Sequence, residues 1–137
     1  MEKKNVLFIC THNSARSQMA EGLLRARFGD RYNAFSAGTH PSRVNPFAAQ
    51  ALAERGIDAS SHTSDSVDVY RDTPMHIVVT VCDSAKETCP YFPALERNIH
   101  HRFEDPSATE GSDADKLAAF RRIRDEIEAW IETAFAR

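Results

Sequence analysis

Asn5-Val-Leu-Phe-Ile-Cys10-Thr-His-Asn-Ser-Ala-Arg16-Ser17-Gln-Met-Ala-Glu21-Gly22 decides how this chain folds and where its chemistry lies. Val6 to Ile9 is a short apolar run of strand formers, too short for a helix. Thr11-His12-Asn13-Ser14 favours a turn or cap, and good helix formers continue from Arg16 to Phe28, with Gly29-Asp30 as the stop. A cysteine therefore stands where a strand feeds a tight loop and the loop feeds a helix N-terminus. Converging backbone N–H groups and the helix dipole make such a junction an anion site. Arg16 adds a planar fork that holds two oxygens of a tetrahedral oxyanion. The same positive surroundings favour thiolate over thiol at Cys10, and a thiolate beside a bound oxyanion is a nucleophile aimed at its central atom.

An isolated cysteine ending a core strand is more often simply buried. Here strand, loop, Arg16, Ser17 and helix are in register, and the Cys-x5-Arg-Ser pattern resembles the phosphate loop of the protein-tyrosine-phosphatase superfamily. Its place near the start of the sequence, with Asp105-Pro106 far downstream, resembles the low-molecular-weight phosphatase branch. That resemblance implies an oxyanion loop spanning Cys10, Thr11, His12, Asn13, Ser14, Ala15 and Arg16.

The 137 residues are expected to form a single domain, 1–137, large enough to bury a real core. With 42% hydrophobic and 27% charged residues the composition is that of a soluble globular protein. The net charge of -3 gives no general affinity for nucleic acid or for an acidic membrane, so anion binding must be local. No apolar run approaches a transmembrane length, and the few apolar residues after Met1-Glu2-Lys3-Lys4 are too short for a signal peptide. A cytoplasmic location is expected. Three cysteines in a reducing compartment argue against a structural disulfide framework and for redox or nucleophilic use.

Farther along, Tyr32 to Phe35 reads as a second strand ending at Ser36-Ala37-Gly38, and Phe47 to Arg55 as a helix stopped by Gly56. A short helix is expected from about Ser66. His76 to Cys82, β-branched nearly throughout, reads as a central strand of a parallel sheet. Asp83 to Arg97 reads as an irregular loop, and Ile99 to Phe103 as a short last strand. Leu117, Phe120, Ile123, Ile127, Trp130, Ile131 and Phe135 form one apolar stripe on a long final helix. Strands alternating with helices predict an α/β fold of three layers, αβα, around a parallel sheet of about four strands. Ligands in such sheets bind beyond the strand C-termini, where Cys10 and Cys82 both lie.

Two further constellations bear on what the Cys10 site is for. Asp105-Pro106 alone is an ordinary turn, yet a leaving oxygen needs a proton, and a carboxyl group on a backbone stiffened by Pro106 can supply one. Cys82 and Cys89 stand seven positions apart, a pair that phosphoester hydrolysis does not need but that a thiol relay from Cys10 would use. A zinc site is weaker, since the spacing exceeds the usual pair and no second pair matches, although His100-His101 lies nearby. Cys82 could also be packed in the core.

Cys10, Arg16, Cys82, Cys89 and Asp105, with Asn13-Ser14 and Ser17 to Gly22, resemble the thioredoxin-coupled arsenate reductases built on the low-molecular-weight phosphatase fold. The similarity extends to Ser36-Ala37-Gly38, Gly56-Ile57-Asp58, Thr63-Ser64-Asp65, Val79-Thr80 and Arg124 to Ile127. The resemblance implies that Cys10 attacks arsenate held by Arg16 and loop amides, Ser17 stabilises the thiolate and Asp105 assists the leaving oxygen. It implies that Cys82 then attacks Cys10, Cys89 attacks Cys82, and thioredoxin reduces the resulting disulfide. It further implies a monovalent cation, typically potassium, near Asn13, Ser36 and Asp65 with Glu21 nearby, and no tightly bound organic cofactor. Phosphate and sulfate should compete with arsenate, no nucleic-acid or membrane partner is expected, and a monomer is expected. His12 and Ala15 stand where many relatives carry Gly and a further Cys, and Asp83 replaces a common Gly. The rival readings are a tyrosine phosphatase, which often carries an aromatic where Ser107 follows Asp105-Pro106, and a non-catalytic oxyanion-binding or redox-regulated interaction protein.

Overall fold

A computed structural model describes residues 2–83 and 91–136. Four parallel strands form one sheet in the order β2-β1-β3-β4: β1 (Lys4–Cys10), β2 (Tyr32–Gly38), β3 (Ile77–Thr80) and β4 (Arg97–His100). The helices are α1 (Arg16–Phe28), α2 (Pro46–Ala53) and α3 (Asp113–Ala134), and short 3₁₀ turns cover Val67–Tyr70 and Pro106–Ala108. The α/β class and the four-stranded parallel sheet agree with the sequence reading.

The period-two pleat of β1 sorts the core into two halves. Val6, Phe8 and Cys10 enter a cluster with Met19 and Leu23 of α1, Leu52 of α2, and Phe120, Ile123, Ile127 and Ile131 of α3. Leu7 and Ile9 face the other way, toward Ala37, Val67, Met75, Val78 and Phe92. Three helices thus cover the face that Cys10 enters, while the 3₁₀ turn Val67–Tyr70 and the segments around Met75 and Phe92 cover the opposite one.

Local chemistry sets the helix boundaries. Asn45 caps α2 by accepting from the Phe47 N–H, with Pro46 in the first turn, and Gly56 takes φ +75° beyond its end. α3 opens four residues before the apolar stripe because Ser112 and Asp115 form a reciprocal capping box. Phe135 lies just past the end of α3, fully buried, with its ring 5.2 Å from Tyr32 and 6.3 Å from Phe8. Among the described residues, no helix is long and apolar enough to cross a membrane.

Two strand boundaries differ from the sequence reading. The last strand is Arg97–His100 instead of Ile99 to Phe103. It is a mostly exposed edge, paired to β3 alone, so its polar residues need no apolar face, and the Ile99 and Phe103 side chains misplace it toward the C-terminus. The predicted His76 to Cys82 strand ends at Thr80. Val81 N–H still donates to Ile9 O, after which the backbone bends at Cys82. A regular pleat would send Cys82 to the face of Val78, away from Cys10. The bend instead places Cys82, fully buried, in the cluster that holds Cys10.

Candidate active site

Cys10 closes β1 at 2% exposure, and the next five residues turn into α1. Asn13 takes φ +47°, a left-handed conformation that Asn tolerates better than most residues. The Thr11 carbonyl accepts from His40 N–H, the His12 carbonyl from Ser42 N–H and Ser64 Oγ, and the Ser14 carbonyl from Asn45 N–H. Because a trans peptide opposes its C=O and N–H, tying these carbonyls outward turns the amides of His12, Asn13 and Ala15 the other way. Ala15, at the N-cap of α1, offers no side-chain cap. The result is a small recess of about 20 Å³ lined by Cys10, His12, Ser14, Ala15, Arg16, Asp105 and Ser107.

Connectivity fixes one donor direction beside the sulfur. Asn13 Nδ2 donates to Ser17 Oγ at 2.8 Å, since an amide nitrogen cannot accept. The Ser17 hydroxyl also lies 2.9 Å from Cys10 Sγ and still has its own proton to give, so it can donate to the sulfur when the sulfur is a thiolate. Asn13 is fixed in turn: its Oδ1 accepts from Asp65 N–H at 2.8 Å and its carbonyl from Gln18 Nε2 at 3.0 Å. Asn13, Arg16, Ser17, Gln18 and Ser36 are all buried polar residues.

Arg16 is 3% exposed; its Nη1 donates to the Phe103 carbonyl at 3.4 Å and its Nη2 lies 3.6 Å from Asp105 Oδ2. Asp105 caps the 3₁₀ turn Pro106–Ala108, its Oδ1 accepting from Ser107 N–H and Ser107 Oγ. The residue proposed as acid and the residue proposed as anion clamp thus meet at the recess, although 89 positions separate them in sequence. Cys82 is disulfide-bonded, whereas Cys10 is a free thiol. Cys89 lies outside the described residues.

The remaining sequence candidates form a second layer behind the loop. Ser36 Oγ donates to Glu21 Oε1, and Arg25 pairs with Glu21 Oε2 at 2.6 Å. Asp65 accepts from Thr63 Oγ1 at 2.8 Å and lies 3.5 Å from the Tyr70 hydroxyl. Burial, then the Asp65 and Glu21 carboxylates, push the Tyr70 phenol up to about 12. These donors are all oxygens, a set that suits a hard cation.

Sequence reasoning missed Gly38 as a site residue. A Cβ there would lie 2.5 Å from Thr11 O, 2.9 Å from Asn13 N and 2.9 Å from Cys10 O, so only glycine lets β2 end against the anion loop. Its place at the end of a strand neighbouring the cysteine strand was the available signal. Gln18, which ties Asn13 O to the Thr63 carbonyl, and the Phe103 carbonyl that seats Arg16 left no signal in the sequence.

Residues 5–137 match the model of the low molecular weight phosphotyrosine protein phosphatase family. An arsenate reductase of Halalkalibacterium halodurans is 45% identical over 133 residues, covering 97% of this chain and 96% of its own. A solved arsenate reductase in a phosphate-binding state superposes with TM-score 0.75 at 30% identity, covering 97% of each chain. A thioredoxin-dependent arsenate reductase of Corynebacterium glutamicum superposes with TM-score 0.68 at 27% identity, covering 98% of this chain and 64% of its own. Matched from residue 5 to residue 137, the chain belongs to the low molecular weight phosphotyrosine protein phosphatase family and is similar nearly end to end to arsenate reductases of that fold.

Proposed function

We propose that the protein reduces arsenate to arsenite through Cys10 and a Cys10-Cys82-Cys89 relay regenerated by thioredoxin. The observation that carries the reading is the burial of Cys82 in the Cys10 cluster by the bend after β3, where a hydrolytic enzyme needs no second thiol. The arsenate reductase relatives and the thioredoxin-dependent neighbour support the same assignment.

In the first step the Cys10 thiolate bonds to arsenic and an arsenate oxygen leaves as water, its proton supplied by Asp105, with no change of oxidation state. Arg16 and the loop amides hold the remaining oxygens. Cys82 then attacks Cys10 Sγ as its thiolate; the S–As bond breaks, its electron pair stays on arsenic, and As(V) leaves as arsenite, As(III). Attack of Cys89 on Cys82 frees Cys10, and a thioredoxin dithiol reduces the Cys82–Cys89 bond. A bonded Cys82 beside a free Cys10 thiol supports a relay that carries oxidation away from Cys10. The same Cys10, Arg16 and Asp105 support slow hydrolysis of aryl phosphates. Asn13, Ser36 and Asp65, with Glu21, would hold a potassium ion behind the loop, where it would offset the negative charge that Tyr70 feels and stiffen Asn13. The protein would work as a monomer in the reducing cytoplasm.

The test is an NADPH-coupled assay with arsenate, thioredoxin and thioredoxin reductase. Cys10→Ser abolishes turnover, and Cys89→Ser stops after at most one turnover while aryl phosphatase activity largely persists. Peptide mass spectrometry without reduction, after arsenate treatment, finds Cys82 joined to Cys89 in the wild type. Normal cycling of Cys89→Ser with thioredoxin would overturn the relay and favour a phosphatase.

A further inference from the structure

Beside the 20 Å³ recess lies a much wider cleft of about 410 Å³, lined by Thr11, His12, Asp83, Arg102, Glu104, Asp105 and Ala108. The two share His12 and Asp105, so an oxyanion held at the loop would have this cleft open for whatever it carries. Among its described lining residues none is a phenylalanine, tyrosine or tryptophan, and His12 is the single ring. Its distinctive feature is Arg102. The guanidinium is half-exposed, and its Nε is fixed at 2.9 Å by Oδ2 of the nearly buried Asp83. This carboxylate holds Arg102 above its usual range, and Arg16 lies near enough to oppose it.

An arginine gripped through Nε keeps its two Nη groups for another partner, the fork geometry that fits a carboxylate or phosphate. The acids around the cleft are already committed: Asp83 to Arg102, Glu104 to Arg122 at 3.1 Å, and Asp105 to Ser107 and Arg16. We infer that Arg102, oriented by Asp83, forms a second anion subsite above the recess, so that the protein prefers organic phosphonates, arsonates and phosphate monoesters whose organic part ends in a carboxylate. The inference rests on the oxyanion-loop part of the proposed function and not on the thiol relay.

Calorimetric titration of the whole protein with phenylphosphonate and with its 3- and 4-carboxy derivatives tests it without any turnover. An exposed charge pair contributes about 0.2–1 kcal/mol, so at low salt one carboxy isomer should bind up to about fivefold more tightly than the parent compound. The ratio is taken within each protein, which cancels any general change at the recess. Arg102→Gln should bring the ratio to about one, Arg102→Lys should retain part of it, and 0.5 M salt should erase it in the wild type. Circular dichroism confirms that the variants are folded. Equal binding of all three compounds by the wild type, or a preference that survives in Arg102→Gln, overturns the subsite. Failure of inorganic phosphate to bind would overturn both the subsite and the oxyanion loop; phosphate binding with no carboxylate preference would overturn the subsite alone.

Discussion

Ser17→Ala isolates the hydrogen-bond chain that ends on Cys10 Sγ. The substitution removes one oxygen, yet two buried contacts are lost: the 2.9 Å hydroxyl contact to Cys10 Sγ and the acceptor that receives Asn13 Nδ2 at 2.8 Å. A hydrogen bond to a charged group contributes about 1.5–3 kcal/mol, so loss of the first should lower the population or reactivity of the thiolate at fixed pH by roughly ten- to a hundredfold. The second leaves an amide N–H buried without its acceptor, at a cost of about 1–3 kcal/mol, which for a chain of this size lowers Tm by several degrees. The two effects separate by measurement. Iodoacetamide alkylation of Cys10 at neutral pH, followed by intact mass, reads the sulfur, while scanning calorimetry reads Asn13. Asn13→Ala, in which Ser17 stays, should reproduce the stability loss with a smaller change in alkylation. If Ser17→Ala alkylates within about twofold of wild type while folded, the hydroxyl does not support the thiolate.

Other outcomes follow from the same geometry. Gly38→Ala should lower Tm and weaken phosphate binding together, because its methyl group meets the backbone of Thr11 and Asn13 at 2.5–2.9 Å; unchanged phosphate binding by calorimetry would show the loop to be independent of β2. Asp105→Asn should slow both arsenate reduction and aryl phosphate hydrolysis while phosphate binding persists, measured as a kcat loss larger than the change in KM. Hydrogen bonds from Arg121 and then Arg124 lower the Glu54 carboxyl from 4.5 to about 2. Its stabilisation is therefore complete above about pH 4.5 and is lost as pH falls toward 2, so the Tm difference between wild type and Glu54→Gln should shrink across that window. A difference that stays constant from pH 6 to 2 would contradict this linkage.

The strand–loop–helix geometry of the candidate site was legible because it is local: strand, turn, Cys10, Arg16 and helix lie within one run, and the periodicity changes at the loop. The end of β3 was not. Val79, Val81 and Cys82 read as one continuous strand, and nothing in their side chains announces the bend that moves Cys82 across the sheet; it follows the last backbone bonds, from His101 N–H to Thr80 O and from Phe103 N–H to Val81 O. The edge strand was misplaced for a related reason, since an edge needs only one partner and no apolar face. Asp105 was legible only through family resemblance, because its meeting with Arg16 depends on a connector that follows the edge strand. Gly38 shows the remaining limit: a residue without a side chain takes its meaning from the backbone of another strand.

The anion loop has its nucleophile at residue 10 but is tied together by much later parts of the chain. β1, α1 and β2 complete a local parallel unit by Gly38, whereas the loop's fastenings come from residues 40–45, then 64–65, and the Arg16 contact to the Phe103 carbonyl spans 87 positions. During synthesis from the N-terminus, the cysteine leaves the ribosome long before the groups that surround it. Its sulfur is then an ordinary thiol on an unfinished chain, without the Arg16–Asp105 closure that creates the recess. Oxyanion affinity is therefore acquired late, when long-range contacts close, and phosphate binding reports completed folding more directly than helix content does.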